Sequence, residues 1–234
     1  MIAHILSSAE KMGVSVTKEM AERLLKYHEM LVSANKEMNL TRVPDDPVEA
    51  ADRNYLDCLT IVPLLRDAET FIDVGTGAGF PGLPVAIVCP HIRVTLMDAL
   101  NKRVGFLKSV IEALSLNAAA VHFRAEDAAK KPEFRDAFDI ASARAVAEMN
   151  VLSEWLLPFV RTGGRMLAMK GPNADDEMKR AENALTLLNG RLISVHKTQI
   201  PGRDWDHRIV EIEKTAPTPE RFPRRSGMAE KRPL

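Results

Sequence analysis

What this sequence most conspicuously lacks is net charge. Its 234 residues carry 32 Lys and Arg against 32 Asp and Glu. The chain as a whole therefore has no basic signature of the kind nucleic-acid binders often show, and a nucleic-acid partner has to be held by a local patch. Cysteine is nearly absent. Cys58 and Cys89 are too few for a disulfide framework and have no partner at metal-site spacing, so both read as small buried hydrophobes. No run approaches the roughly 18 apolar residues of a membrane span. Met1-Ile2-Ala3-His4-Ile5-Leu6 lacks the basic start and long apolar stretch of a secretory signal, so a cytoplasmic protein is expected. There is no internal repeat and no low-complexity tract. What remains is an ordinary globular composition, 46% hydrophobic and 27% charged, long enough for one large domain with an appendage.

Along the chain the periodicity changes once. Met20, Leu24, Tyr27, Leu31, Ala34 and Met38 recur at four- and three-residue steps, which predicts an amphipathic helix over residues 17–38 with Thr17 as its N-cap. A break at Pro44-Asp45-Asp46-Pro47 precedes a second helical stretch predicted from Val48 to about Leu65. Residues 1–66 thus read as a helical cap. From Thr70 onward, short apolar runs ending in Gly or an acid alternate with helical patterns: 71–74, 94–98, 120–123, 138–141 and 166–169. This is the grammar of a doubly wound α/β sheet, assigned to residues 67–215. Asn101 is placed to cap a helix whose Val104, Leu107, Ile111 and Leu114 share a face. A helix from Asp175 to Leu188 stops at Asn189-Gly190, and two further strands, 191–198 and 208–214, predict an antiparallel C-terminal hairpin. Residues 216–234 form an irregular tail with five basic residues against two acidic ones.

The most informative stretch is Phe71-Ile72-Asp73-Val74-Gly75-Thr76-Gly77-Ala78-Gly79-Phe80-Pro81-Gly82, a strand that runs into a glycine loop and then a helix. Glycines permit the turn and let a ligand lie against backbone. Gly77-x-Gly79-x-x-Gly82 satisfies the dinucleotide fingerprint, and Asp98 follows Gly79 by 19 residues, where an acid takes ribose hydroxyls. The loop alone does not choose between a dinucleotide and another adenosine cofactor. Asp73 tips the choice: a carboxylate facing the amino and sulfonium end suits cationic S-adenosylmethionine, whereas it repels a pyrophosphate. Ala125-Glu126-Asp127 after the third strand offers a polar turn for the adenine amino group.

Several segments, in order, resemble the bacterial 16S ribosomal-RNA guanine-N7 methyltransferase family, also called glucose-inhibited division protein B. They are Asn35-Lys36 with Asn39-Leu40-Thr41, Arg53 with Leu56-Asp57, residues 71–82, Asp98 with Asn101-Lys102-Arg103 and Phe106-Leu107, Arg124-Ala125-Glu126, residues 142–147, Lys170-Gly171, Pro223-Arg224 and Pro233-Leu234. The resemblance implies a Rossmann-like class I methyltransferase sheet that uses S-adenosylmethionine to methylate N7 of a guanine in the decoding region of small-subunit RNA. It places Gly75, Phe80, Ala125, Glu126 and Arg144 around the cofactor, beside Asp73, Gly77 and Asp98. Ala34, Asn54 and Ala99 stand where the family often has Trp, His and Ser.

Guanine N7 carries an in-plane lone pair, so it attacks a sulfonium methyl without first losing a proton. No general base and no metal are required, and the six histidines form no ligand cluster by spacing. Arg144, at the end of the fourth strand, is the candidate for orienting the substrate. Lys102, Arg103, Lys170 and Arg224 are the candidate phosphate contacts, with Arg221 and Arg225 nearby, and Phe222 is a candidate for stacking on a base. The partner implied is 16S ribosomal RNA or the small ribosomal subunit, met by a monomer without a membrane. The competing readings are a nicotinamide-dependent oxidoreductase and a non-catalytic RNA-binding module. Gly75→Val is expected to abolish cofactor binding with the fold largely intact.

Overall fold

The structure is a computed structural model that describes residues 1–65 and 67–234. The predicted boundary at Arg66 lies outside the described residues. The chain begins with α1 (Ile2–Lys11) and α2 (Lys18–Met38). Thr17 caps α2 as the sequence predicts, its Oγ1 accepting from Met20 N at 3.2 Å, and Asn39 ends the helix in the left-handed region at φ 47°. Leu24, Tyr27 and Leu31 are the buried centre of its apolar face.

The second helical stretch is not one regular helix. It is α3 (Pro47–Ala51), a π-helical turn Asp52–Leu56, α4 (Asp57–Leu59) and a 3-10 turn Val62–Leu64. A π turn adds a residue per turn and so rotates the helical residues beyond it, a register change that apolar spacing does not reveal.

Next come β1 (Thr70–Val74), α5 (Gly82–Val88), β2 (Arg93–Asp98), α6 (Asn101–Ala113), β3 (Ala118–His122) and α7 (Ala125–Ala128). After them the chain forms β4 (Phe138–Arg144), α8 (Met149–Leu156), β5 (Val160–Lys170), α9 (Ala174–Leu188), β6 (Gly190–Thr198), β7 (His207–Lys214) and α10 (Met228–Lys231). Asn101 does not cap α6. It is the first helical residue, and Asp98 caps the turn instead, its Oδ1 accepting from Leu100 N at 2.9 Å.

Seven strands form one sheet in the order β3-β2-β1-β4-β5-β7-β6. The first five are mutually parallel, and β7 runs antiparallel between β5 and β6. Because β1 is flanked on both faces, Phe71, Ile72, Asp73 and Val74 are all buried. The chain winds outward from β1 to β3, then returns to β4 on the other side of β1. That reversal opens a crevice at the carboxyl ends of β1 and β4.

One apolar core joins Ile5, Leu24, Leu31 and Tyr55 of the N-terminal helices to Leu83, Leu96 and Leu107 around the sheet. A second contains Leu152, Leu156, Leu185 and Phe222, so the C-terminal tail is packed into the fold. Phe222 is only 4% exposed, which removes it as a base-stacking residue: its ring already fills the core. Among the described residues no helix is long and apolar enough to cross a membrane.

Candidate active site

The glycine loop is built by main-chain constraints that only glycine satisfies cheaply. Gly75, Gly77 and Gly79 have φ of 72°, 60° and 113°. Gly82 serves a different need: a Cβ there would lie 2.2 Å from Leu96 Cδ2, so its absence lets α5 close onto β2. Gly75 N and Thr76 N donate to Met97 O at 2.9 and 3.1 Å, which pins the loop to the end of β2.

Two carboxylates brace this loop from behind. Asp73 is fully buried, and its Oδ2 accepts from Thr76 Oγ1 at 2.6 Å and from Gly82 N at 2.8 Å. Burial pushes its carboxyl up to about 6, against the pull of those two hydrogen bonds and of the Arg144 charge. Asp98 accepts from Gly77 N at 2.9 Å and meets Arg103 Nη1 at 3.4 Å. The sequence points to both acids as cofactor contacts. Both hold the turn in the shape a ligand needs, and neither is among the residues that line the adjoining cleft.

Two clefts flank the loop. The first, about 150 Å³, lies against Val74, Gly75, Met97, Phe123, Ala125 and Glu126, with Val146, Trp155, Gly227 and Glu230 opposite. Gly75, Ala125 and Glu126, expected from sequence to meet the cofactor, are thus brought together. Phe80 is not on this wall. It is 5% exposed and packs on Tyr27 and Tyr55 at centroid distances of 5.6 and 5.9 Å.

The second cleft, about 360 Å³, is lined by Arg53, Asp57, Arg144, Lys170, Glu177, His207 and Arg208. Arg144 lies here with its guanidinium carbon 4.8 Å from the Phe80 ring centroid. Its Nη1 donates to Asp57 Oδ2 at 3.0 Å and to Arg53 O at 2.9 Å. Asp57 also meets His207 Nδ1 at 2.8 Å, and this bond raises the His207 imidazole above its ordinary value despite partial burial.

The clefts adjoin along one short loop: Arg144 and Ala145 line the second, and Val146 lines the first. Ala145 makes the corner at φ 55°, a conformation a non-glycine residue holds only where its surroundings impose it.

The expected phosphate contacts fall into two groups. Lys102 is exposed, and no ion pair holds it among the described residues. Lys170 is committed to Glu177 Oε2 at 2.6 Å and Ala147 O at 2.7 Å. Arg224 is clamped by Glu154 through Nη2 to Oε2 at 2.6 Å and Nε to Oε1 at 2.9 Å, which makes it a tail anchor. Sequence reasoning missed Trp155, Gly227 and Glu230 on the first cleft and Asp57, His207 and Arg208 on the second. The motif Leu56-Asp57 carried a signal for one of them.

The expectation for Gly75→Val also changes. A Cβ at residue 75 would sit 3.0 Å from Val146 Cγ2 at a φ that side chains rarely adopt. The fold would therefore be strained together with the pocket.

The family model described as rRNA small subunit methyltransferase G (GidB) matches residues 20–205. The chain belongs to that family. It is 40% identical over 230 residues to ribosomal RNA small subunit methyltransferase G of Clostridium perfringens strain SM101, covering 97% of this chain and 96% of the relative. With the protein of the same name from Clostridium beijerinckii the identity is 42% over 232 residues, again 97% of this chain and 96% of the relative. Among solved structures, an O-methyltransferase from Bacillus cereus in complex with SAH aligns with a TM-score of 0.57 at 17% identity, over 92% of this chain and 100% of that one. Cofactor-bound Rv0187 from MTB aligns at 0.56 and 16% identity, over 83% and 91%. At such identities these two speak for the fold alone. A member of this family with this sheet is an S-adenosylmethionine-dependent methyltransferase.

Proposed function

We propose that the chain transfers the methyl group of S-adenosylmethionine to N7 of a guanine in the decoding region of 16S ribosomal RNA, in the cytoplasm and as a monomer. The observation that carries this reading is the pair of clefts that meet at residues 144–146. One has an apolar floor and carboxylates suited to a nucleoside, and the other has a buried-edge arginine suited to a base.

The residues present fit the cofactor. Glu126 and Glu230 border the cleft while Asp73 and Asp98 lie behind its glycine loop, a field that favours a cation and opposes the pyrophosphate of a dinucleotide. Gly75, Ala125 and Glu126 would hold the nucleoside. S-adenosylmethionine supplies an electrophilic methyl group on a sulfonium.

The chain's own task is orientation, since the guanine nitrogen needs no deprotonation. Arg144 has five N–H donors, of which Nη1 is engaged by Asp57 and Arg53. A donor directed to guanine O6 would fix the base while leaving N7 free to react. Phe80 beneath it and Asp57 beside it keep the guanidinium plane in place.

The RNA path follows the outer rim of the second cleft. Arg53 and Arg203 both lie near the Trp205 ring, at 4.5 and 5.3 Å from its centroid, and His207 and Arg208, two and three residues further on, line the second cleft with Arg53. Phosphate contact and aromatic stacking are the usual means of holding an unpaired RNA segment. Arg53, Arg203 and Arg208 thus join Lys102, Arg103, Lys170 and Arg224 in the expected contact set.

Transfer of tritiated methyl to small-subunit 16S RNA tests the reading. Arg144→Ala should lower kcat/KM by about a hundredfold while S-adenosylhomocysteine still binds, as expected when a hydrogen bond from a charged donor is lost. Absence of label with wild-type protein, or calorimetric binding of NAD without S-adenosylhomocysteine, would overturn it.

A further inference from the structure

The first cleft is not completed by the strand-end loops. Its far wall comes from Trp155 on α8 and from Gly227 and Glu230 at the C-terminus. Three fastenings hold that C-terminal segment down. Arg135 Nη1 donates to Phe222 O at 3.0 Å and its Nη2 to Thr218 O at 2.7 Å. Glu154, 1% exposed, accepts from both the side chain and the main-chain N of Arg224, the latter at 2.8 Å. Finally, Gly227 N donates to Glu126 Oε1 at 3.0 Å, so the tail orients the one acid of the cleft that the sequence motifs identify.

Trp155 contributes its ring to this wall, its indole N–H being buried away from the cleft surface with no hydrogen-bond partner among the described residues. The Glu230 carboxylate, on the exposed side of α10, forms no ion pair among the described residues and borders the same cleft. Around them the lining is apolar, with Val74, Met97, Phe123 and Val146 suited to the faces of a flat ring.

We propose that the C-terminal segment forms the base-reading wall of the cofactor pocket, with Glu230 accepting from the 6-amino group of adenine and the Trp155 ring packing beside the base. A carboxylate acceptor complements the amino group of a 6-aminopurine. It opposes a 6-oxopurine, which presents a carbonyl oxygen there instead. The proposal rests on the reading that this cleft takes the nucleoside of S-adenosylmethionine.

The test uses the full chain and calorimetry with S-adenosylhomocysteine and its 6-oxo analogue, S-inosylhomocysteine. Wild-type protein should prefer the adenosyl compound. Glu230→Gln should weaken that compound about tenfold and narrow or reverse the preference, because a carboxamide both accepts and donates. Lys231→Ala, on the exposed side of α10, should bind as wild type, and Glu230→Gln is expected to fold because that side chain is exposed. Unchanged affinity and preference in Glu230→Gln, with wild-type protein binding normally, would overturn the role of the tail and leave the nucleoside site standing. Failure of wild-type protein to bind either compound would overturn both.

Discussion

Asp73 shows what a residue type reveals and what its side-chain direction adds. The sequence places an acid two residues before the first glycine, and the charge argument points it at the cofactor. The structure turns it inward, where Thr76 and Gly82 occupy one oxygen and the other, Oδ1, is buried without a partner among the described residues. Its influence on a cation is therefore electrostatic, through space. The arrangement has a thermodynamic cost. The folded carboxyl titrates at about 6 against an ordinary 3.8, so the proton is held more tightly in the folded state. The associated stability is present below the ordinary value and lost as pH rises through about 6. Asn at this position keeps an acceptor for Thr76 and Gly82 and removes the buried charge. Asp73→Asn should thus be more stable than wild type at about pH 8, by on the order of 2 kcal/mol, with the difference vanishing near pH 4. Urea melts at both pH values check this, and a pH-independent difference would contradict it.

At the scale of elements, much was legible. The period change at Thr70 marks the start of the sheet, and the five apolar runs are the five parallel strands. The inner runs announce themselves because a strand covered on both faces must be largely apolar, whereas β3, at the sheet edge, has Ala119 and His122 exposed. What escaped was tertiary. The π turn Asp52–Leu56 leaves no trace in apolar spacing, yet Asp57 just after it reaches Arg144 and His207. Nor could periodicity tell that α2 clamps the glycine loop: Tyr27 Oη donates to Ala78 O at 2.7 Å across 51 residues. Tyr27 reads as one more apolar-face position of a helix, and its hydroxyl is what makes it more. Tyr27→Phe preserves the ring packing and leaves Ala78 O without its partner in a buried setting, which should cost about 1–2 kcal/mol. Because the strain falls on the loop, the affinity for S-adenosylhomocysteine should drop severalfold at the same time. A stability loss with unchanged affinity would mean that the helix supports the core only.

For the whole molecule, zero net charge limits how RNA is held. The rim of the second cleft is rich in cations, but most have acids beside them: Arg144 with Asp57, Lys170 with Glu177, Arg203 with Asp52, and Arg208 with Asp175 and Asp206. Paired charges steer a polyanion weakly and displace few counterions. The residues positioned to meet phosphate without first surrendering a buried partner are few, among them Arg53, whose Glu49 partner is itself 39% exposed, and the exposed Lys102. Two to three neutralised phosphates give a slope of log affinity on log salt of about −2 for single-stranded RNA. Affinity for an RNA fragment of the decoding loop should accordingly fall about tenfold to twentyfold between roughly 50 and 200 mM salt, far less than for a basic RNA-binding domain. Arg53→Ala removes one phosphate contact and one of the two cations over Trp205, so it should reduce both the affinity and the slope, whereas Trp205→Leu should reduce affinity at every salt concentration with the slope unchanged. A wild-type slope of several times this size would mean that the RNA crosses a different face, and equal slopes for wild type and Arg53→Ala would remove that arginine from the path.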